Sequence, residues 1–217
     1  MRKTVLALAC TAGIAAVSFG ALHAQGGPPQ LPGAMDASRV EAGSYKTDPG
    51  HSLVGWRVNH FGFTDYFGIF GNVAGTLELD PANIGASKVD VTIPIASVTT
   101  ASAGLTDHLL RAAGEGAAAP DFFGPAPAPA HFVSTMVHST GDHTAHITGD
   151  LTMNGVTKPV TVQAQFVGAG ANPFSQAKTI GFEGTTTIKR SDWGLAGFIP
   201  LVGDEVELDI TIAFEKQ

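Results

Sequence analysis

Between positions 160 and 166 the apolar residues Val160, Val162, Ala164 and Phe166 alternate with Thr161, Gln163 and Gln165. A period of two is what a half-buried strand requires, because successive side chains point to opposite faces of a sheet. The same alternation sets Val206, Leu208, Ile210, Ile212 and Phe214 against Glu205, Glu207, Asp209 and Thr211, and Val89, Val91 and Ile93 against Lys88, Asp90 and Thr92. Five more strands are predicted around 52–60, 67–79, 131–138, 144–152 and 179–189, separated by turn sequences such as Asp48-Pro49-Gly50, Asp80-Pro81-Ala82-Asn83 and Asn154-Gly155. Eight short alternating strands with almost no helical pattern point to an antiparallel barrel or sandwich, and closure would remove the exposed edges. The exception is 104–113, where Leu105, Leu109 and Ala112 share one side of a short helix. The residues after it, 114–130, hold four prolines among small residues and read as a surface loop with Phe122 and Phe123 as its anchors.

The N-terminus has a different character. Arg2 and Lys3 precede an uncharged apolar run from Thr4 to Val17, too short to be a retained span, and Leu22-His23-Ala24 puts a small residue at a cut, so residues 1–24 are expected to be a secretory signal cleaved before Gln25. Residues 25–44, rich in Gly and Pro, are expected to form a flexible arm, and 45–217 the folded domain. Cleavage takes two positive charges and no acid from the formal −7, leaving −9. An acidic chain without a basic cluster is a poor partner for nucleic acid. Cys10 leaves with the signal, which excludes disulfides, thiol catalysis and Cys-based metal sites from the exported product. With 44% hydrophobic and 14% charged residues the chain folds on packing alone.

Motifs for catalysis are missing: there is no phosphate-cradling glycine loop, no Gly-x-Ser-x-Gly and no His-Glu-x-x-His. The chain is therefore not expected to be an enzyme. Glu205, Glu207 and Asp209 read as a solvated outer face. His131, His138, His143 and His146 cluster in sequence without convincing ligand spacing, so no metal is expected. His51, His60 and His108 lie beside apolar segments and are either structural or polar contacts at a pocket mouth. Trp56, Phe61, Phe63, Tyr66, Phe67 and Phe70 supply bulk for a core or for the wall of a greasy cavity. An eight-stranded barrel sits near the size at which the interior is just filled or holds one small ligand, and Gly55, Gly62, Gly68, Gly71 and Gly75 favour leaving room.

Several fragments, in order, carry a resemblance. They run from Tyr45-x-x-Asp48, His51-Ser52-x-x-x-Trp56-x-Val58-x-His60-x-Gly62, Gly68-x-Phe70 and Gly75-x-Leu77 through Ser97-Val98-x-Thr100, Asp107-His108-Leu109, Asp121-Phe122-Phe123 and Phe132-x-Ser134. Then come Gly149-Asp150-Leu151-Thr152-x-Asn154-Gly155-Val156-Thr157-Lys158, Ile188-x-Arg190-Ser191-Asp192-x-Gly194 and Val202-Gly203-Asp204-x-Val206. In this sequence of elements, from about Tyr45 to Glu215, the chain resembles the YceI family of lipocalin-like exported proteins.

The resemblance implies an all-β fold: an eight-stranded antiparallel lipocalin-like barrel with a short helix in one long connection, located in the periplasm. It also implies a long apolar channel holding a polyisoprenoid, an isoprenoid quinone or a fatty-acid-like chain in place of any cofactor. Inward pleating then nominates as walls Val54, Trp56, Val58, Phe70, Leu77, Val89, Val91, Ile93, Phe132, Leu151, Val162, Phe166, Phe182 and Leu208, with Leu109 and Phe122 near a mouth. His60, His108 and Arg190 are nominated for a head group. The expected function is a binding or carrier protein for such a chain. Its alternatives are a quinone-holding accessory to a membrane redox partner and a filled-barrel stress or scaffold protein. A homodimer is compatible with the sequence; stable membrane insertion after signal cleavage is not expected. Where the family passes quickly from His-Leu to Phe-Phe, this chain inserts 112–120 and continues with a Pro-Ala run, so ligand length and head group are not inherited.

Overall fold

The computed structural model describes residues 30–217, so the expected signal lies outside the described residues. Eleven strands and one helix form the domain: β1 (Gly43–Thr47), β2 (Leu53–His60), β3 (Thr64–Phe70), β4 (Ala74–Leu79), β5 (Lys88–Ile93), β6 (Thr99–Thr100), α1 (Ala103–Leu110), β7 (Ala130–Gly141), β8 (Thr144–Met153), β9 (Val156–Ala171), β10 (Lys178–Lys189) and β11 (Val202–Lys216). Hydrogen bonding runs β1-β4-β5-β7-β8-β9-β10-β11 and returns to β1, an eight-membered antiparallel ring. Three short strands lengthen it. β2 continues beyond β1 along the same edge of β11, from Thr47 opposite Phe214 to Leu53 opposite Thr211, while β3 pairs with β2 and β6 with β3. The fold is the closed, eight-stranded all-β barrel with one short helix that the alternation and the resemblance predict.

The segment expected as one strand over 67–79 is divided. At Gly71-Asn72-Val73 the chain turns through a left-handed Asn72 (φ 56°), a conformation Asn tolerates better than most residues, and Val73 is fully buried. α1 is shorter than the expected 104–113. Ser102 caps it, accepting from the Leu105 amide at 3.3 Å, and it ends at Leu110 because Ala112 and Ala113 offer little surface to bury before Gly114.

The arm expected to be flexible over 25–44 is pinned where the structure describes it. Ala34 exchanges two backbone bonds with Ala169 of β9 at 3.1 and 2.9 Å. Asp36 caps a single turn over Ala37–Arg39, and the Glu41 carboxylate accepts from both Lys178 and Lys216. Gly170 makes the approach feasible, since a β-carbon there would lie 2.0 Å from the Pro32 carbonyl oxygen.

The barrel has two unlike ends. The upper end is built by the β2–β3 turn, α1, the connection 111–129, the β8–β9 turn and the segment 190–201; the lower end by the turns 80–87, 142–143 and 172–177. On the upper side the ladder between β5 and β7 stops at Ile93 and Ala130, and β6 pairs only with β3. α1 and Phe122 and Phe123 of the connection cover the gap, with the Phe123 amide bonded to the Leu109 carbonyl at 3.1 Å and its ring edge-on to Phe70 at 5.8 Å.

Candidate functional site

The ring encloses a cavity of about 790 Å³ whose lining runs from His60, Phe61 and Phe198 at the upper end to Val40, Ile84 and His143 at the lower. That is within the range of small-molecule sites, and the interior is not that of a filled barrel. All the apolar wall positions nominated from the pleat lie along it, from Val54, Trp56 and Val58 on β2 to Leu208 on β11, with Leu109 and Phe122 at the upper end. His60, His108 and Arg190 lie on it too. Glu205, Glu207 and Asp209 face outward, where Glu207 pairs with Arg57.

The space does not come from the glycines expected to leave room. Gly68 is a seat: the indole of Trp56 lies over it, and a β-carbon there would sit 2.2 Å from the ring. Gly75 likewise accommodates the backbone of β5, 2.1 Å from the Asp90 carbonyl oxygen. The room arises from a row of small inward residues across three adjacent strands, Ala145 opposite Ala164 and Ala164 opposite Gly184, all on the cavity wall. Over Gly184 part of the space is taken by Val162, whose Cγ1 would lie 2.9 Å from a β-carbon there.

Polar groups are few and mostly engaged. Arg190 is buried, and its guanidinium donates to the carbonyls of Gly203, Leu195, Gly197 and Val202 at 2.5–2.9 Å. Burial lowers its pKa, yet an arginine stays charged at ordinary pH. Four of five N–H donors spent on the chain's own backbone make Arg190 a clamp for 190–203, which corrects its nomination as a head-group contact. His108 bonds Asp121 through Nε2 at 2.9 Å, and Asp121 also accepts from Arg111 at 2.8 Å. The Arg111 bond first, and His108 second, hold the Asp121 carboxyl below the usual carboxylate value. His60 stands at the rim beside Phe61, ring centroids 4.1 Å apart. The Nε1–H of Trp56 is buried in the wall without a hydrogen-bond partner. His51 belongs elsewhere, its Nδ1 on Asp48 at 2.6 Å in an outer turn.

The clustered histidines do not converge. His131 bonds Asp90 at 2.7 Å, His143 stacks on Phe166 and lines the lower end, and His138 faces His146 across the β7–β8 ladder. Among the described residues no group of three or more His, Cys, Asp or Glu is placed to hold a metal.

Wall residues outside the sequence nomination include Ala37 and Val40 from the arm, Phe123 from the connection, and Leu195 and Phe198 from the segment clamped by Arg190. All five sit outside the strands and α1, where no period marks the inward side. Val206, Ile210, Ile212 and Phe214 also line the cavity, and their alternation with acids was readable.

Known proteins share both the sequence and this architecture. A "UPF0312 protein" of Ectopseudomonas mendocina is 38% identical over 190 residues, covering 86% of this chain and 95% of that protein. The crystal structure of BcnA from Burkholderia cenocepacia superposes with a TM-score of 0.60 at 23% identity, over 75% of this chain and 95% of that one. A polyisoprenoid binding domain from Saccharophagus degradans superposes with a TM-score of 0.56 at 14% identity, over 82% of this chain and all of that domain. The family model of the YceI-like domain matches residues 45–214, almost the entire barrel from the first strand to the last. The ordered motifs, the hollow ring and this match agree, and the chain belongs to the YceI family.

Proposed function

We propose that the protein is an exported, periplasmic binding or carrier protein that holds an isoprenoid or other lipid-like chain lengthwise in the barrel. The observation that carries this reading is the cavity itself: about 790 Å³, apolar along nearly all of its wall, and continuous between the two ends. Each CH2-sized unit moved out of water contributes about 0.8 kcal/mol, so ten units supply roughly 8 kcal/mol before the costs of association. Binding of that strength needs no catalytic group. The polyisoprenoid binding of the Saccharophagus domain, a structural neighbour, supports the same class of guest. The cationic start and apolar run of the leader support export.

The test is organic extraction of the purified protein followed by mass spectrometry, and reloading of the extracted protein with prenyl and fatty-acyl chains. A co-purifying or reloadable chain near one per barrel is expected. Repeated failure to find or load any chain overturns the reading.

An isoprenoid quinone held for a membrane redox partner is the second reading, and one observation favours it. The unpartnered Trp56 Nε1–H in an otherwise greasy wall is a donor left for a guest oxygen to satisfy. Trp56→Phe then weakens binding of a prenyl quinone and leaves binding of a prenyl hydrocarbon unchanged; equal effects on both count against it.

A further inference from the structure

The outer surface around the upper opening is unusually apolar. The turn residues 60–64 (His-Phe-Gly-Phe-Thr) and the segment 193–203 (Trp-Gly-Leu-Ala-Gly-Phe-Ile-Pro-Leu-Val-Gly) contain no formally charged residue. The two meet in space, because the Phe61 amide donates to the Leu201 carbonyl at 2.7 Å and Val202 pairs with His60. On this rim Phe63 is 84% exposed, Leu201 59%, and Phe61 and Phe198 each 45%. A soluble surface rarely gathers large apolar side chains this way without a partner.

Two features identify the partner. Phe61 and Phe198 line the cavity and are also exposed outside, so apolar surface runs unbroken from the exterior into the barrel. Phe63 stands at the tip of a turn, following left-handed Phe61 (φ 57°) and Gly62 (φ 72°), so the patch is convex. A fluid medium envelops a protruding tip, whereas a rigid protein face of this size needs a matching hollow. Two of the flanking acids are engaged, Asp65 accepting from Arg57 at 3.1 Å and Asp204 from the Ser191 amide and hydroxyl at 2.9 and 2.8 Å, while Asp192 beside Trp193 is exposed. The lower end also exposes apolar side chains, Phe174 at 95% and Leu31 at 84%, but it sets them beside charge, the Glu41–Lys178–Lys216 cluster and the Asp36–Arg39 pair, and neither Phe174 nor Leu31 lines the cavity.

We propose that Phe61, Phe63, Phe198 and Leu201 form a docking surface for a lipid bilayer, seating the upper opening of the barrel against the acyl layer. This is peripheral attachment by loop tips, with the ring remaining in water. Among the described residues no helix is long and apolar enough to cross a membrane. That a guest passes through the docked opening rests on the reading of the barrel as a lipid binder; the attachment itself does not.

The experiment uses the exported chain, its N-terminus fixed by mass spectrometry, with vesicles of phosphatidylcholine and phosphatidylethanolamine. Sedimentation is measured at low and high salt, alongside loading of a soluble dansyl-labelled fatty acid. The wild type is expected to pellet with the vesicles at both salt levels, since apolar attachment is not screened. Phe63→Ser with Leu201→Ser, neither of which lines the cavity, is expected to cut partitioning roughly tenfold or more while loading the dansyl probe normally. A Phe63→Trp variant, quenched by lipids brominated in the acyl chain, reports the same contact if the double variant folds poorly. Wild type that stays in the supernatant, or indole fluorescence from the Phe63→Trp variant that is indifferent to brominated lipid, overturns the proposal. So does a concentration-dependent dimer abolished by the two serines without vesicle attachment. Vesicle attachment with no loading of the probe upholds docking and overturns the binder reading; loading without attachment does the reverse.

Discussion

Filling the row of small residues is the sharpest probe of the hollow interior. Ala164 sits on the inner face of β9 between Ala145 and Gly184, at the level where the wall recedes. Leucine at 164 adds three carbons to that space. In a packed core such an insertion costs about 1–3 kcal/mol. Here the neighbours on both sides are a methyl group and a glycine, so burial dominates: about 2 kcal/mol gained from carbons removed from water. For a domain of this size that is a rise of about 5 °C in the unfolding midpoint of the guest-free protein. The same carbons displace about the same length of guest, so affinity falls by about 2 kcal/mol, roughly thirtyfold. Calorimetry of the extracted protein and titration with a dansyl-labelled fatty acid measure the two quantities. Gln163→Leu, on the outer face one residue away, is the control and should leave affinity unchanged. A variant that is less stable than the wild type would show that the space at Ala164 is already occupied. One that is more stable but binds equally well would show that the guest does not pass this level.

Three further outcomes are expected. Arg190→Lys cannot satisfy the four carbonyls of 195–203 and should lose about 3 kcal/mol or more in urea unfolding; a loss under about 1 kcal/mol would deny the clamp. Gly170→Val drives a side chain into the Pro32 carbonyl and should release the arm, seen as faster tryptic cleavage after Arg39 with little change in barrel stability. Because the Asp121 pKa lies below its ordinary 3.8, the Arg111–Asp121–His108 clasp contributes in full above that pH and is lost as pH falls through the lowered value. Pepsin should therefore cut the 111–123 region more readily toward the acid end of its range in the wild type, and Asp121→Asn should remove that dependence.

How much of this was legible depends on the kind of backbone. Where pleating is regular the inward side follows from alternation, as at Val89, Val91 and Ile93, or Val162 and Phe166. Bulges break that rule. Near Thr135 the register between β7 and β8 shifts, so Val137 is buried and Met136 exposed, and near Val167 a similar shift turns Ala169 inward. Neither was visible in the sequence. β1 was missed because a five-residue strand beginning with Gly43 carries little pattern, although its pairing with β11 closes the ring. The roles of Gly68 and Arg190 depend on partners far away in sequence, Trp56 across the hairpin and the carbonyls of a folded-back loop. Composition suggested empty space at the first, and the resemblance a head-group contact at the second.

The wall is not uniform in what holds it. Around most of its circumference each stave is stitched to the next by a ladder, but beyond Ile93 and Ala130 the closure is made by Leu109, Phe122 and Phe123, side chains resting against side chains with one backbone bond between them. Such a panel gives way at a lower free energy than a ladder does. The barrel therefore has a soft side, where α1 is held by side-chain packing and by the Thr106–Thr100 and His108–Asp121 hydrogen bonds in place of rungs of the sheet.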